Sequence, residues 1–450
     1  MPTARLLTES LPEGTLAVSE WSWLRDFRNR GMRAFQSQGL PSRRLEEWKY
    51  TGLEALHETP FKVDGVSPME GASILNGWVP EAQADEQRLV FLDGRYQPGF
   101  SQPGRMPAEA KLLPLSRALQ EERALIQGHL GRIVSPQGQP FAALNSAWLE
   151  DGLLLYLPAG CCLERPVHCL FLCSSGSESR ASYPRLLIVL EAGAEAQLVE
   201  EYRGVATDAG ADRALQLTAP LTEIRLAQGA QLTHATLWQE EPDTYHLAGL
   251  HVEQAASSRF HSLSLALGGG LCRNDVRVRL AGEGAETLLE GLYLLGGRQH
   301  LDHHLRVDHL QPACRSELFY KGILNDQAHG VFNGKAVVHP GAQRTDARQI
   351  NKNLLLSQGA EMDTKPELQI EADDVQCSHG ATVGQLDPQA LFYLGSRGLK
   401  PADAQALLSL AFARETLNRM PAGGLWERLR HRVMERLAAQ AGDKVMEGLL

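Results

Sequence analysis

The sequence predicts a mainly β protein: a parallel β-helix (solenoid) core flanked by N-terminal and C-terminal helical segments. Three observations carry this. From about residue 130 to 385 the chain is built of short β-type runs ending in turn residues, among them "LLLYLPAG", "VHCLFLC", "RLLIVLEAG" and "VRVRLAGEG". Gly-Ala pairs recur at Gly193, Gly229, Gly284, Gly341, Gly359 and Gly380, at intervals of 36, 55, 57, 18 and 21 residues. These are close to multiples of 18 to 21, and a period near 20 belongs to solenoids. Helical periodicity is confined to the two ends of the chain.

Taken in order, residues 1 to about 60 read as helical. "SEWSWLRDFRNRGMRAFQSQGL" puts Trp23, Phe27 and Met32 at near-helical spacing, with Ser19 and Glu20 as start signals and Gly39 as the stop. Residues 60 to 110 are rich in Pro and Gly, with one strand and turn expected over Leu89 to Tyr96. In the β region, "DVRVRL" alternates: Val276, Val278 and Leu280 face one way, Arg277 and Arg279 the other. Gly supplies the left-handed backbone that a solenoid corner needs, and Ala is small enough to sit inside it.

Asp387-Pro388 then opens a helix that Gly398 closes, and Pro401 opens a second with Ala404, Leu407, Leu408 and Ala411 on one face. A third carries Leu425, Leu429, Val433 and Leu437 at intervals of four. These helices either cap the solenoid or dock a partner. The expected domains are 1–125 (helical and mixed), 126–386 (β-helix) and 387–450 (helical).

Composition limits the function. The chain has 450 residues, 43% hydrophobic and 22% charged, as in an ordinary soluble globular protein. A net charge of -10 without a basic block argues against a nucleic-acid partner. Seven cysteines without framework spacing read as free thiols in a reducing compartment. With no secretory leader pattern and no long apolar run, the expected location is the cytoplasm, with no membrane partner.

Nucleotide motifs fail. In "GVFNGKA" only three residues separate Gly330 from Gly334, and Ala336 stands where a P-loop needs Ser or Thr; "GEGAET" puts Thr287 at the last Gly of a dinucleotide fingerprint. No G-x-S-x-G elbow is present. In "RQHLDHHLRVDHL", read as a strand, Leu301, His303, Leu305, Val307 and His309 share one face, and His300, Asp302, His304, Arg306 and Asp308 the other. That polar face could ligate a metal, although solvated or hydrogen-bonded side chains are the ordinary reading. Cys169, Phe171 and Cys173 share a strand face and read as small buried hydrophobes. In "DDVQCSHGATVGQ", Cys377 and His379 project to one face of an extended strand, with Cα atoms about 6.6 to 6.8 Å apart. Thiolate and imidazole both ligate iron or zinc, but two ligands do not close a site. Other coils, another chain or a purely structural turn all remain open.

"PSRRLEEWKYT", "LFYKGILNDQAHGVFNGKAVV", "QRTDARQINKNLLLSQGAEMDTKPELQIEADDVQCSHGATVGQLD" and "ALFYLGSRGL" resemble the SufB/SufD family of iron–sulfur cluster assembly. The match is dense from about 300 to 400 and sparse between 60 and 270. Glu-Glu-Trp-Lys-Tyr and His379-Gly380-Ala381-Thr382, where the scaffold paralogue SufB usually reads His-Glu-Ala-Thr, resemble the SufD side. The resemblance implies a right-handed β-helix in a non-catalytic subunit, without an ATP site of its own. It would pair with SufB through the β-helix and with the ABC-type ATPase SufC through the C-terminal helices, where Leu391, Phe392, Tyr393 and Arg397 are docking candidates. It also implies that His379, and then Cys377, serve iron entry or ligate transient iron or a nascent cluster at the subunit interface. A homodimeric scaffold, or a β-helix enzyme on an acidic or carbohydrate substrate, stay as alternatives; for the enzyme the carboxylates are scattered, Asp373 and Asp374 among them.

Overall fold

A computed structural model describes residues 21–63, 75–76, 78–79, 86–206 and 213–439. Eight coils of two strands each form the core. They are β4/β5 (Gly152–Leu157, Val167–Ser175), β7/β8 (Arg185–Leu190, Glu195–Ala206), β10/β11 (Leu221–Leu226, Gln231–Gln239) and β12/β13 (Thr244–Gln254, Arg259–Ala266). Then follow β14/β15 (Leu271–Leu280, Glu286–Leu295), β16/β17 (His300–His309, Arg315–Leu324), β18/β19 (His329–Val338, Thr345–Leu355) and β20/β21 (Glu361–Ile370, Val375–Gly384). The first strand of each coil joins one parallel sheet and the second joins the other. The apolar inner faces close on each other as a continuous core, from Leu89 to Ala360.

The expected alternation in β14 holds: Val276, Val278 and Leu280 are buried, and Arg277 and Arg279 face out. The coil length does not match the 18-to-21-residue expectation. Glu286 pairs with Arg315 and Arg315 with Asp346, so one coil spans about 30 residues. One corner explains how the Gly-Ala pattern misled. It is turned by a left-handed residue that is Gly193, Gly229 and Gly284 in some coils, but Ser257, Ala313 and Arg344 in others. Each donates its N–H to the next coil's corner, as Gly193 does to the Gln228 carbonyl at 2.9 Å. A small buried residue follows each: Ala194, Ala230, Ser258, Ala285, Cys314, Thr345. Gly359 lies ahead of β20 at the opposite corner and Gly380 lies inside β21, so the pairs mixed distinct positions.

The N-terminal segment closes the beginning of the solenoid. Strand β1 (Gln87–Leu92) extends one sheet parallel to β5 and turns through Asp93-Gly94 into β2 (Arg95–Tyr96), close to the expected strand and turn. Strand β3 (Lys111–Pro114) pairs antiparallel with β4 in the other sheet, which also carries the short β6 (Ala181–Ser182) and β9 (Gln216–Thr218). Helix α1 (Ser22–Gln38) ends at Gly39 (φ 66°), as expected, and buries Leu24, Phe27, Gly31, Ala34 and Phe35; Ser19 and Glu20 lie outside the described residues. Between α1 and the solenoid come α2 (Glu54–Glu58), α3 (Leu115–Glu121), α4 (Arg123–His129) and α5 (Pro140–Ala147).

At the other end, α6 (Pro388–Ser396) starts with the Asp387 carboxylate accepting from the Gln389 N–H at 2.9 Å, and α7 (Pro401–Leu417) starts at Pro401. Helix α8 (Gly424–Ala439) follows. These helices do not cap the solenoid end. Helices α7 and α8 lie along the outer face of the sheet that contains β8, β11, β13, β15, β17 and β19, where Trp426, Leu429, Val433 and Leu437 cover Val199, Leu237, Leu265 and Leu292. Within α7 the buried stripe is Ala404, Ala406, Ser409, Ala413, Thr416 and Leu417; Ala411 is exposed, because the helix turns its later residues to the sheet. Leu429→Ala should destabilise this attachment by about 2–5 kcal/mol, read as earlier urea unfolding of the tryptophan signal. An unchanged midpoint would mean that the helix contributes little.

Ion pairs secure the same attachment. Arg428 of α8 hydrogen-bonds Glu86, and His168 lies 3.0 Å from Glu201 and 3.6 Å from Glu86. Burial pushes the His168 imidazole down, but hydrogen bonds to the two carboxylates outweigh it and its pKa is raised. A group raised on folding stabilises fully below its unfolded value, about 6.5, and loses that contribution as pH climbs through the folded value. Glu86 and Glu201 are shifted down, so their contribution fades in acid instead. Arg88, Arg203 and Arg432 also face the cluster and stay charged throughout. Wild type should therefore lose thermal stability from pH 6 to 9 relative to His168→Gln; parallel profiles would show that the imidazole is neutral when folded.

Candidate functional site at the open end of the solenoid

The last coil is bare. In β19 the inward residues Ala347, Gln349, Asn351 and Asn353 are buried. Register pairs them with Cys377, His379, Ala381 and Val383 of β21. Opposite, Met362, Thr364, Pro366 and Leu368 of β20 continue the column of Gly330, Phe332, Gly334 and Ala336. Cys377 and His379 thus occupy the bore of the solenoid, yet His379 is exposed and Cys377 half-buried because no coil follows. Ile370 and Val383, 43% and 45% exposed, add apolar surface to the rim. Both sheets end there in an edge strand, a template for pairing with another chain.

The pair has the chemistry of a soft-metal half-site. Burial pushes the Cys377 thiol up, and the Asp346 carboxylate adds to this against a backbone hydrogen bond from Ala347. A ligating thiol must shed its proton, and the metal itself supplies the drive. Among the described residues no group of three or more His, Cys, Asp and Glu side chains converges to hold a metal ion. The register brings Cys377 and His379 together but offers them no third ligand.

The histidine-rich strand β16 is split between two environments. His303 points inward among Trp238, Tyr293 and Tyr320, with ring centroids 5.0 to 6.0 Å away. Burial pushes its pKa down to about 3, so it is a neutral core residue. On the outer face Asp302 is not solvated: it lies under the N-terminal segment. Thr51 Oγ1 donates to Asp302 Oδ2 at 2.5 Å and stands 2.9 Å from His300 Nε2. Arg273, held by Asp302 and Asp275, stacks 3.8 Å over the Trp48 ring. The "EEWKYT" stretch is therefore a latch that fastens the N-terminal segment to two successive coils, at Arg273 of β14 and at His300 and Asp302 of β16. Its Trp and Thr were visible in the sequence, but nothing there placed Arg273 and Asp302 beneath them. The P-loop-like "GVFNGKA" is part of strand β18.

The docking candidates sit on α6. Phe392 and Tyr393 are 79% and 56% exposed, Arg397 is exposed with its guanidinium 5.2 Å from the Tyr393 ring centroid, and Leu391 is partly covered. The seven cysteines are all free; Cys169 and Cys173 are buried, as their strand pattern predicts.

Fold and site together define a parallel β-solenoid with a thiol and an imidazole side by side at its unfinished end. Residues 171–412 match the SufBD core domain of the SUF system of iron–sulfur cluster assembly, and residues 12–169 match the SufBD N-terminal region. The chain is 31% identical to the iron–sulfur cluster assembly protein SufD of Escherichia coli, over 96% of this chain and 99% of that one. It is 35% identical to a SufBD family protein of Synechocystis over 87% and 86% of the two chains. For SufD of Bacillus subtilis the figures are 25%, 91% and 93%. This chain belongs to the SufBD family of iron–sulfur cluster assembly proteins, and within it is SufD-like.

Proposed function

We propose that this chain is a non-catalytic subunit of a SufBCD-type complex that assembles iron–sulfur clusters. In this reading the β20/β21 end pairs with the scaffold paralogue SufB, and the partner supplies the ligands that Cys377 and His379 lack for iron or a nascent cluster. Residues 387–450 dock the ABC-type ATPase SufC through Leu391, Phe392, Tyr393 and Arg397. The observation that carries the reading is the bare last coil, where a thiol and an imidazole line an uncapped bore with unpaired edges on both sides. No helix among the described residues is long and apolar enough to cross a membrane, which fits an assembly acting in the cytoplasm.

The test is anaerobic co-expression with the scaffold and ATPase subunits. Val383→Glu in the rim should abolish capture of the scaffold while capture of the ATPase survives, because a buried unpaired charge at an interface is costly. Retention of the scaffold by that variant would place the pairing surface elsewhere.

A further inference from the structure

A second site lies away from the open end. A cavity of about 480 Å³ opens between the edge of the sheet formed by β1, β5 and β8 and the inner side of α8. Four guanidinium groups converge on it, Arg88 and Arg203 from the sheet, Arg428 and Arg432 from the helix. The carboxylates around it already have other partners. Glu86 accepts from Arg428 and Glu201 pairs with His168, while Glu427 turns to Arg430 and Glu435 lies 3.3 Å from His431.

Three cations are left under-served. Arg88 and Arg203 stand 3.7 Å from their nearest carboxylates, too far for a hydrogen bond, and Arg432 has no hydrogen bond or ion pair among the described residues. Arg88 is 3% exposed, and its Nε is buried without a hydrogen-bond partner. Burial lowers the pKa of Arg88 and Arg203; Glu86 beside Arg88 and Glu201 beside Arg203 offset part of this, and the facing Arg428 and Arg432 work against that offset, leaving both lowered. Glu86 and Glu201 answer these cations only through space, and like charges opposed across a cleft, one of them buried with an unpaired N–H, favour an added anion that can hydrogen-bond them. Leu170, Leu425 and Leu429 supply an apolar wall beside these donors.

We propose that this cleft binds a small soluble organic phosphate, its dianionic head gripped by Arg88, Arg203 and Arg432 and its carbon body laid against the leucines. Planar guanidinium forks match the oxygens of a phosphate in pairs, and the cavity exceeds what a bare inorganic ion fills. The site is independent of the cluster-assembly reading, since it uses none of the residues at the open end.

Calorimetric titration of the full chain with glycerol 3-phosphate, and separately with inorganic phosphate, at fixed ionic strength tests this. Saturable binding of glycerol 3-phosphate is expected, with inorganic phosphate weaker because it lacks the body. Arg432→Gln should weaken it by about tenfold or more without changing the melting temperature of the unliganded protein. Arg203→Gln serves as a second variant should the first alter folding. Absence of saturable binding by wild type, or undiminished binding in both variants, would overturn the proposal.

Discussion

His379→Ala is expected to cut cluster formation on the assembled complex by at least about tenfold while leaving the subunits associated; loss of a group that merely orients a metal ligand already costs about 10- to 100-fold. The side chain is exposed at the end of the bore, so its removal should cost the fold no more than about 0.5 kcal/mol. Co-purified complex reconstituted anaerobically with iron and a sulfide source gives the readout, as visible charge-transfer absorption per complex. Cys377→Ser should act in the same direction. A normal yield from the alanine variant would remove His379 from the mechanism, whatever role Cys377 keeps.

Phe392→Ala combined with Tyr393→Ala is expected to abolish capture of the ATPase subunit at micromolar concentrations. Aromatic anchors at the centre of an interface are worth about 2–4 kcal/mol each. Both rings are already in solvent, so the free chain should melt as wild type does. Pull-down with the ATPase subunit decides it, and undiminished capture would move docking off α6. The point variants are sounder than deletion of 387–450. That deletion would strip Leu425, Trp426 and Leu429 from the sheet and expose Val199, Leu237 and Leu265, so lost binding could not be separated from lost folding.

What was legible in the sequence was local. Asp387-Pro388, Gly39 and Pro401 each mark a helix boundary because capping chemistry acts over a few residues. Strand alternation likewise told inward Val276 and His303 from outward Arg277 and His304. The coil length was not legible, because Ser257, Ala313 and Arg344 do at their corners what Gly193 does at another, and residue type alone cannot show a left-handed backbone. The stripe of α8, Leu425, Leu429, Val433 and Leu437, is buried as its spacing predicts, whereas of the face expected for α7 only Ala404 is buried, and neither pattern shows where the apolar side would lie. Leu425 and Leu429 say that something is covered, not whether it is the solenoid end or its flank. For the site, Cys377 and His379 could be assigned to one strand face from spacing, whereas their exposure depends on β21 being the last strand of its sheet.

The two strands that end the solenoid are not equivalent neighbours for a visitor. Pro366 sits near the middle of β20 and brings no amide hydrogen to a ladder, whereas β21 keeps every donor from Val375 to Gly384. A chain zipping onto this protein would find one broken track and one continuous track. The continuous one carries Cys377 and His379. Strand registration and presentation of these two side chains would then become a single event: a slip of one residue along β21 would turn every side chain of the incoming strand to its other face. Alignment of the seam, more than the strength of any one contact, would decide whether a cluster can be held there.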